Sequence, residues 1–247
     1  MNFTAADMAR AIEHTLLRPE ATPQQIDVLC DEAKRYGFAG VCVNPIYVRR
    51  AAKALAAGGE GGPAAFRRGS QPRAAKPQTI VVAAVGFPLG ASRTDTKADE
   101  ARRAIDDGAR EIDMVVALGA LMAADLSYVR SDIEAVACVV HQSSGNRLLK
   151  VILETAALTT DQLILGCRCC AEAEADFVKT STGFHPKGGA TVEYVRLLHR
   201  HASPLRVKAS GGIRTAVAAK AMLEAGAARI GSSASVAILE QLRTSTA

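Results

Sequence analysis

Four short apolar stretches of the chain each carry a charged residue where a buried strand would not tolerate one: EIDMVV at 111–116, LLKVILET at 148–155, DFVKTSTGF at 176–184 and LRVKASGGIRT at 205–215. Burying a charge costs roughly several kcal/mol unless it is paired or neutralised. One such residue could be a lysine extending its amine from a strand end. Four in consecutive strand-like runs indicate a functional site, and they are Asp113, Lys150, Lys179 and Lys208.

Neighbouring strands lie about 5 Å apart, so consecutive strands would bring these four side chains into one pocket. Lysines crowded together are expected to have lowered pKa values, and a neutral lysine amine is a nucleophile. The pattern therefore predicts an enzyme that forms a Schiff base. These residues alone do not distinguish which lysine is the nucleophile.

Eight strand-like runs extend along the chain, and amphipathic helical patterns separate most of them, for example at 22–37, 94–108 and 215–226. Strand–helix alternation predicts a parallel α/β sheet, and eight units favour a (β/α)8 TIM barrel over a doubly wound sheet. No GxGxxG or Walker motif opens a helix, which disfavours nucleotide binding. The predicted strands are 12–16, 39–44, 79–85, 110–116, 147–153, 176–180, 205–208 and 228–231.

The length of 247 residues suits a single barrel domain spanning 1–247. Residues 57–77 read AGGEGGPAAFRRGSQPRAAKP and have no periodicity, so we predict a low-complexity loop insertion there. Because the insertion precedes the third strand, it should lie at the amino ends of the strands, opposite the expected active site.

The net charge of +5 and a pI of about 9.0 leave nucleic-acid binding as one interpretation. Its local basis is a basic run within the insertion, at Arg67, Arg68, Arg73 and Lys76. The arginines are otherwise scattered, which favours a solvated surface and a site for an anionic substrate. We expect no nucleic-acid partner, no membrane partner and a cytoplasmic location, because the sequence has neither a membrane-length apolar run nor a signal-peptide layout.

The six cysteines lack zinc-finger spacing, so we expect free thiols and no metal. Glycine-rich turns, in contrast, follow the last strands. Lys179 leads into Thr180–Gly183, Lys208 leads into Ser210–Gly212, and the eighth run ends in Gly231–Ser233. Exposed backbone N–H groups and small hydroxyls in such turns predict a phosphate site, although glycine and serine are also ordinary turn residues.

These segments resemble the deoxyribose-phosphate aldolases, a family of class I aldolases, nearly from end to end. The resemblance is carried by IEHTLL, FAGVCVNPIYV, VGFPLGASRTDTKADEA, EIDMVVALGAL, LKVILET, DFVKTSTGF, VKASGGIRT and RIGSSAS. The pair DFVKTSTGF and VKASGGIRT is highly specific.

The resemblance implies that Lys179 forms the Schiff base and that Lys208 tunes it and shuttles protons. It implies that Asp113 transfers protons with an ordered water and that Lys150 is an accessory charge. It implies phosphosugar and aldehyde substrates. We also expect no cofactor, and a homo-oligomer, with a dimer expected first. The turn residues it assigns to phosphate are Gly183, Gly211, Gly212, Ser232 and Ser233.

The chain departs from the family pattern at two places. Glu13 stands where the family usually has aspartate, and it should pair differently within the pocket. Ala234 lacks a hydroxyl that the family usually has, so we expect a smaller preference for phosphorylated substrate. Cys42 matches a family cysteine near the site, although a small buried hydrophobic role suits it better. Two alternatives stay open: a Schiff-base barrel aldolase for another phosphosugar, and a non-catalytic phosphosugar- or nucleic-acid-binding protein.

Overall fold

A computed structural model describes residues 3–57 and 78–244, and the predicted insertion, apart from Ala57, lies outside them. Eight parallel strands close into a barrel in sequence order, with the last paired to the first. The predicted (β/α)8 barrel is confirmed. The strands are β1 (Ile12–Leu16), β2 (Gly40–Val43), β3 (Ile80–Val85), β4 (Glu111–Val115), β5 (Leu148–Ile152), β6 (Phe177–Lys179), β7 (Arg206–Ser210) and β8 (Ala227–Ser232).

Helices surround the barrel, and local capping explains where several of them begin. Thr22 and Thr159 each form a capping box with a glutamine three residues later, and Pro23 opens its helix. Gly37 ends the same helix in a left-handed conformation. The helices are α1 (Ala5–Ala11), α2 (Pro23–Tyr36), α3 (Val48–Ala56), α4 (Thr94–Asp106), α5 (Leu118–Met122), α6 (Leu126–Gln142), α7 (Thr160–Glu172), α8 (Val192–His201), α9 (Ala216–Glu224) and α10 (Ser235–Thr244).

The main hydrophobic core is the layer between the strands and the helices. On β4, Ile112 and Met114 belong to this layer, whereas the alternate residues Glu111 and Asp113 take part in ion pairs inside the barrel. A small apolar cluster of Leu17, Cys42, Val82 and Ala84 packs separately from the main core. Charged side chains thus occupy space that apolar layers commonly fill in such barrels.

The strand register places the predicted charged residues side by side. Asp113 pairs with Lys150 across β4 and β5, and Lys179 pairs with Lys208 across β6 and β7. In the chain from 3 to 57 and from 78 to 244, no helix combines the length and the apolar character that crossing a bilayer requires.

Candidate active site

Asp113 is the centre of the predicted group. Its Oδ2 accepts hydrogen bonds from Lys179 Nζ at 2.7 Å and from Lys208 Nζ at 2.6 Å. Its Oδ1 accepts one from Lys150 Nζ at 3.0 Å. All four side chains are buried. The structure therefore brings together every charged residue that the four strand-like runs singled out.

Three further charged groups belong to the same cluster; the sequence placed Glu13 in the pocket without assigning its partners, and it did not single out Glu111 or Arg229. Glu13 on β1 contacts Lys208 Nζ and lies 3.5 Å from Lys150 Nζ. Glu111 at the start of β4 contacts Lys150 Nζ. Arg229 on β8 reaches both carboxylates more distantly, with its nitrogens 3.6 Å from Glu13 Oε1 and 3.8 Å from Glu111 Oε1.

These extra carboxylates overturn the expectation of lowered lysine pKa values for two of the lysines. Burial would lower the pKa of Lys208, but attraction by Asp113 and Glu13 outweighs it and raises that pKa above its ordinary value. Burial would also lower the pKa of Lys150, but attraction by Asp113, Glu13 and Glu111 outweighs it and raises that pKa above its ordinary value. Both side chains are therefore cations at neutral pH. The prediction was wrong because it set only Asp113 against the three amines and left out Glu13 and Glu111.

The carboxylates respond in the opposite direction. Burial would raise the pKa of Asp113, but attraction by Lys150, Lys179 and Lys208 holds it well below its usual value. The pKa of Glu13 is also lowered, because Lys150 and Lys208 together outweigh its burial. The centre of the barrel is thus a network of charged groups at neutral pH.

A cavity of about 720 Å³ opens onto this network at the carboxyl ends of the strands. Lys179 lines this cavity, and its side chain is 3% exposed, compared with 0% for Lys150 and Lys208. Lys179 makes its ion pair with Asp113, whereas Lys208 contacts two carboxylates and Lys150 contacts three. The geometry therefore separates the three lysines, which the positions of the charged residues in the sequence alone did not.

The predicted phosphate turns form one side of the same cavity. Gly183, Gly211 and Gly212 line it, all with positive φ angles that favour glycine. Gly211 also approaches Gly189 so closely that a Cβ on Gly189 would lie 2.3 Å from Gly211 O. The turns after β6 and β7 are therefore packed backbone to backbone, and the N–H group of Ala190 donates to Gly211 O at 3.0 Å.

The third turn is built differently from the sequence expectation. Ser232 and Ser233 line the cavity, but the Ser232 hydroxyl already donates to Ile213 O at 2.7 Å and accepts from the Ala234 N–H at 3.0 Å. Its side chain therefore joins the turns after β7 and β8, while Ser233 is exposed. Arg214 also lines the cavity and was not singled out, although it lies within the VKASGGIRT motif.

Comparisons with known proteins agree with this geometry. Residues 7–240 match the family described as DeoC/LacD family aldolase. The chain belongs to this family. It is 46% identical over 239 residues to deoxyribose-phosphate aldolase from Brevibacillus brevis, covering 96% of this chain and 97% of that protein. It is 48% identical over 238 residues to the enzyme of the same name from Thermococcus gammatolerans, with 96% and 97% covered.

A solved structure gives the same result for the fold. The deoxyribose phosphate aldolase from Aeropyrum pernix, described as having a unique tetrameric structure, superposes with a TM-score of 0.83 at 30% identity, covering 98% of this chain and 93% of that one. The family resemblance of the motifs is confirmed, and the chain is an aldolase, a carbon–carbon lyase. Family membership disfavours the non-catalytic binding protein.

The LKVILET motif gives this aldolase a bridge between two active-site turns. Glu154 is buried with a φ of 59°, and its carboxylate accepts hydrogen bonds from the N–H and the hydroxyl of Thr182. Glutamate rarely adopts a positive φ. The turn after β5 is thereby held against the turn after Lys179, a role that no sequence signal indicated.

Cys42 lies beside the charged network of the aldolase but is not activated. Its Sγ is 4.0 Å from Asp113 Oδ2, and burial raises the pKa of the thiol to about 11. It is therefore a neutral buried side chain, in agreement with the small buried hydrophobic role that the sequence analysis favoured. Among residues 3–57 and 78–244, no group of three or more His, Cys, Asp or Glu side chains is arranged to hold a metal ion.

Proposed function

We propose that this aldolase cleaves 2-deoxy-D-ribose 5-phosphate reversibly to D-glyceraldehyde 3-phosphate and acetaldehyde, through a Schiff base on Lys179. The likeness to the Brevibacillus and Thermococcus enzymes supports the substrate. The observation that carries the mechanism is the position of Lys179 at the floor of the open cavity, beside Lys208 and Asp113. The expected cellular role is deoxyribonucleoside catabolism.

The reaction begins when the neutral amine of Lys179 attacks the aldehyde carbon of the open-chain sugar. Loss of water gives a protonated imine, which accepts electrons. A base removes the proton from the hydroxyl on the third carbon, and the bond between the second and third carbons breaks. Its electron pair forms an enamine, and glyceraldehyde 3-phosphate leaves. Protonation of the second carbon and hydrolysis release acetaldehyde and restore the amine.

Asp113 and Lys208 are placed to move protons in these steps. Both lysine amines donate to the same Asp113 oxygen, so Asp113, at 2.7 Å, can accept a proton released by Lys179, and the Lys208 ammonium group on its other side can donate one. The cation on Lys208 also disfavours a proton on Lys179. Lys150, held by three carboxylates, contributes charge and does not face the substrate in this proposal.

The turns at Gly183, Gly211, Gly212 and Ser233 are proposed to bind the phosphate through backbone N–H groups, together with Arg214. Arginine matches a phosphate dianion with two N–H donors, and glycine allows close backbone approach. Ser232 acts by holding the turn through its bonds to Ile213 and Ala234. These contacts would place the sugar aldehyde toward Lys179, at the floor of the same cavity.

Reductive trapping tests the proposal directly. Borohydride added with acetaldehyde should inactivate the protein and add an ethyl group to Lys179, read by peptide mass mapping. The Lys179→Leu variant should remain folded and unlabelled at the site. An ethyl group on Lys150 or Lys208 in the wild-type protein would reject Lys179 as the nucleophile. Turnover with ketone donors in place of acetaldehyde would indicate a different aldolase substrate.

We also propose that the protein is a cytoplasmic homo-oligomer, and a dimer is the first state to test. The tetrameric Aeropyrum enzyme shows that relatives of this chain associate. Light scattering coupled to size exclusion would give the mass in solution. A species of 25.9 kDa, the mass of one chain, would contradict the proposal.

A further inference from the structure

The charged network extends below the active site toward the amino ends of the strands. Arg229 lies there on β8, with its side chain 25% exposed. Its nitrogens are 3.6 Å from Glu13 Oε1 and 3.8 Å from Glu111 Oε1, and its buried Nε has no hydrogen-bond partner among the described residues. Arg229 therefore acts on the two carboxylates by charge, without a close hydrogen bond.

The charges of this network balance only if one lysine is neutral. Three carboxylates and three firmly cationic groups are linked by ion pairs, and Lys179 is a fourth basic group joined to them through Asp113. With Arg229 present, a proton on Lys179 is the surplus charge. Without Arg229, the same proton would complete the balance. The members are Glu13, Glu111, Asp113, Lys150, Lys208, Arg229 and Lys179.

We propose that Arg229 is a positioning residue whose charge, acting through Glu13 and Glu111, keeps the Lys179 amine unprotonated for attack. This inference rests on the proposed Schiff-base function. Glu13 and Glu111 are also the partners of Lys208 and Lys150. Charges inside a protein are screened much less than charges at its surface, so the Arg229 cation toward the amino ends of the strands acts on Lys179 at their carboxyl ends.

Charged groups surround both Lys179 and Arg229. Lys179 faces Asp113 from β4 and Lys208 from β7, with the neutral thiol of Cys42 and the cation of Lys150 nearby. Arg229 itself faces the two carboxylates and is paired in register with Lys208.

Removing Arg229 and removing Glu111 should therefore have opposite effects. In Arg229→Met the protonated amine is stabilised, so the acid limb of the pH–rate profile for deoxyribose 5-phosphate cleavage should move to higher pH, by about half a unit or more. In Glu111→Gln it should move to lower pH. The double variant should return toward the wild-type profile, and Arg229→Lys should preserve it.

Arg206→Met is the matched control. Arg206 is also an arginine of the barrel wall, but its guanidinium stacks over the Phe177 ring at 4.1 Å. Its removal should leave the acid limb in place. Thermal melting of each variant reports folding separately, and a loss of stability alone does not move a pH profile in two directions.

A second measurement does not need the natural substrate. The rate of ethylation of Lys179 by acetaldehyde and cyanoborohydride, measured at each pH by mass spectrometry, reports the neutral amine directly and should shift in the same way. If the wild-type protein is labelled but does not cleave deoxyribose 5-phosphate, the proposed substrate fails while the role of Arg229 is still measured. If Arg229→Met folds and both profiles coincide with wild type or with Arg206→Met, the role of Arg229 is rejected.

Discussion

The protein buries lysine in two regions, and they are organised differently. Lys97 lies on α4, fully buried, where its Nζ donates to Asp132 Oδ2 at 2.6 Å and to Val115 O at 3.0 Å. The other oxygen of Asp132 accepts from the Thr94 hydroxyl at 2.9 Å. Inside the barrel, Lys179 and Lys208 instead share a single oxygen of Asp113.

The difference shows that burial of a charge does not by itself identify an active site. The pair of Lys97 and Asp132 is balanced one to one and closed off from solvent. The barrel network is crowded, leaves Glu13 Oε1 without a hydrogen bond among the described residues, and reaches a cavity through Lys179. Two features identify the barrel network as the active site: two amines share one acceptor oxygen, and one of these amines reaches a cavity.

Breaking the closed pair should cost stability and leave chemistry intact. Lys97→Met leaves Asp132 buried without its cation, and the free energy of unfolding should fall by about 3–5 kcal/mol. Denaturant unfolding measures this loss, and turnover per folded molecule should change little. Adding Asp132→Leu should recover much of the stability. A large loss of turnover in the folded single variant would erase the distinction between the two regions.

Breaking the shared acceptor should have the opposite outcome. Asp113→Asn removes the carboxylate that both reactive-site amines contact, and turnover should fall roughly 10²-fold or more, within the range of a lost general acid–base group. Binding of deoxyribose 5-phosphate should weaken far less. Steady-state kinetics with a binding measurement separates the two. If only KM changes, Asp113 is a binding residue.

Lys208→Met tests the effect of placing a second amine beside Lys179. Because its raised pKa keeps Lys208 cationic through neutral pH, its removal takes a positive charge away from Lys179. Lys179 then keeps its proton to higher pH, so activity at neutral pH should fall about tenfold or more and the acid limb should move to alkaline pH. An unchanged pH profile with normal turnover would remove Lys208 from the mechanism.

The smallest effect is expected at the mouth of the cavity. Arg214→Gln removes a charged donor from the proposed phosphate site, and KM for deoxyribose 5-phosphate should rise about tenfold, since a hydrogen bond to a charged group is worth about 1.5–3 kcal/mol. Turnover at saturation should stay near wild type. Free deoxyribose is the control substrate, and an equal loss with it would place Arg214 outside phosphate binding.

The sequence predicted the barrel and the four central residues because charge is conspicuous in an otherwise apolar strand. It did not indicate Glu111 or Arg229, because a charged residue near the amino end of a strand looks like a solvent-facing boundary. In a barrel filled by alternating residues, that position also points inward. The error in the lysine pKa values followed from leaving Glu13 and Glu111 out of the charge balance.

Other features left no signal in the sequence. Glutamate does not favour the positive φ of Glu154, so its bridge to Thr182 depends on tertiary packing. Likewise, nothing in the chain indicated that the Ser232 hydroxyl would be occupied by Ile213 and Ala234. The single domain spanning 1–247 stays a prediction.

The alternation along β4 has a practical consequence for engineering this aldolase. Ile112 and Met114 hold the strand against the helices, while Glu111 and Asp113 point into the barrel and belong to the charged network. Alternate residues of the same strand therefore serve the fold and the charged network separately. A mutagenesis library that varies only the residues pointing into the barrel can change the pKa values of the active-site groups and the substrate range. The outer layer, which contains the main core, is then left unchanged.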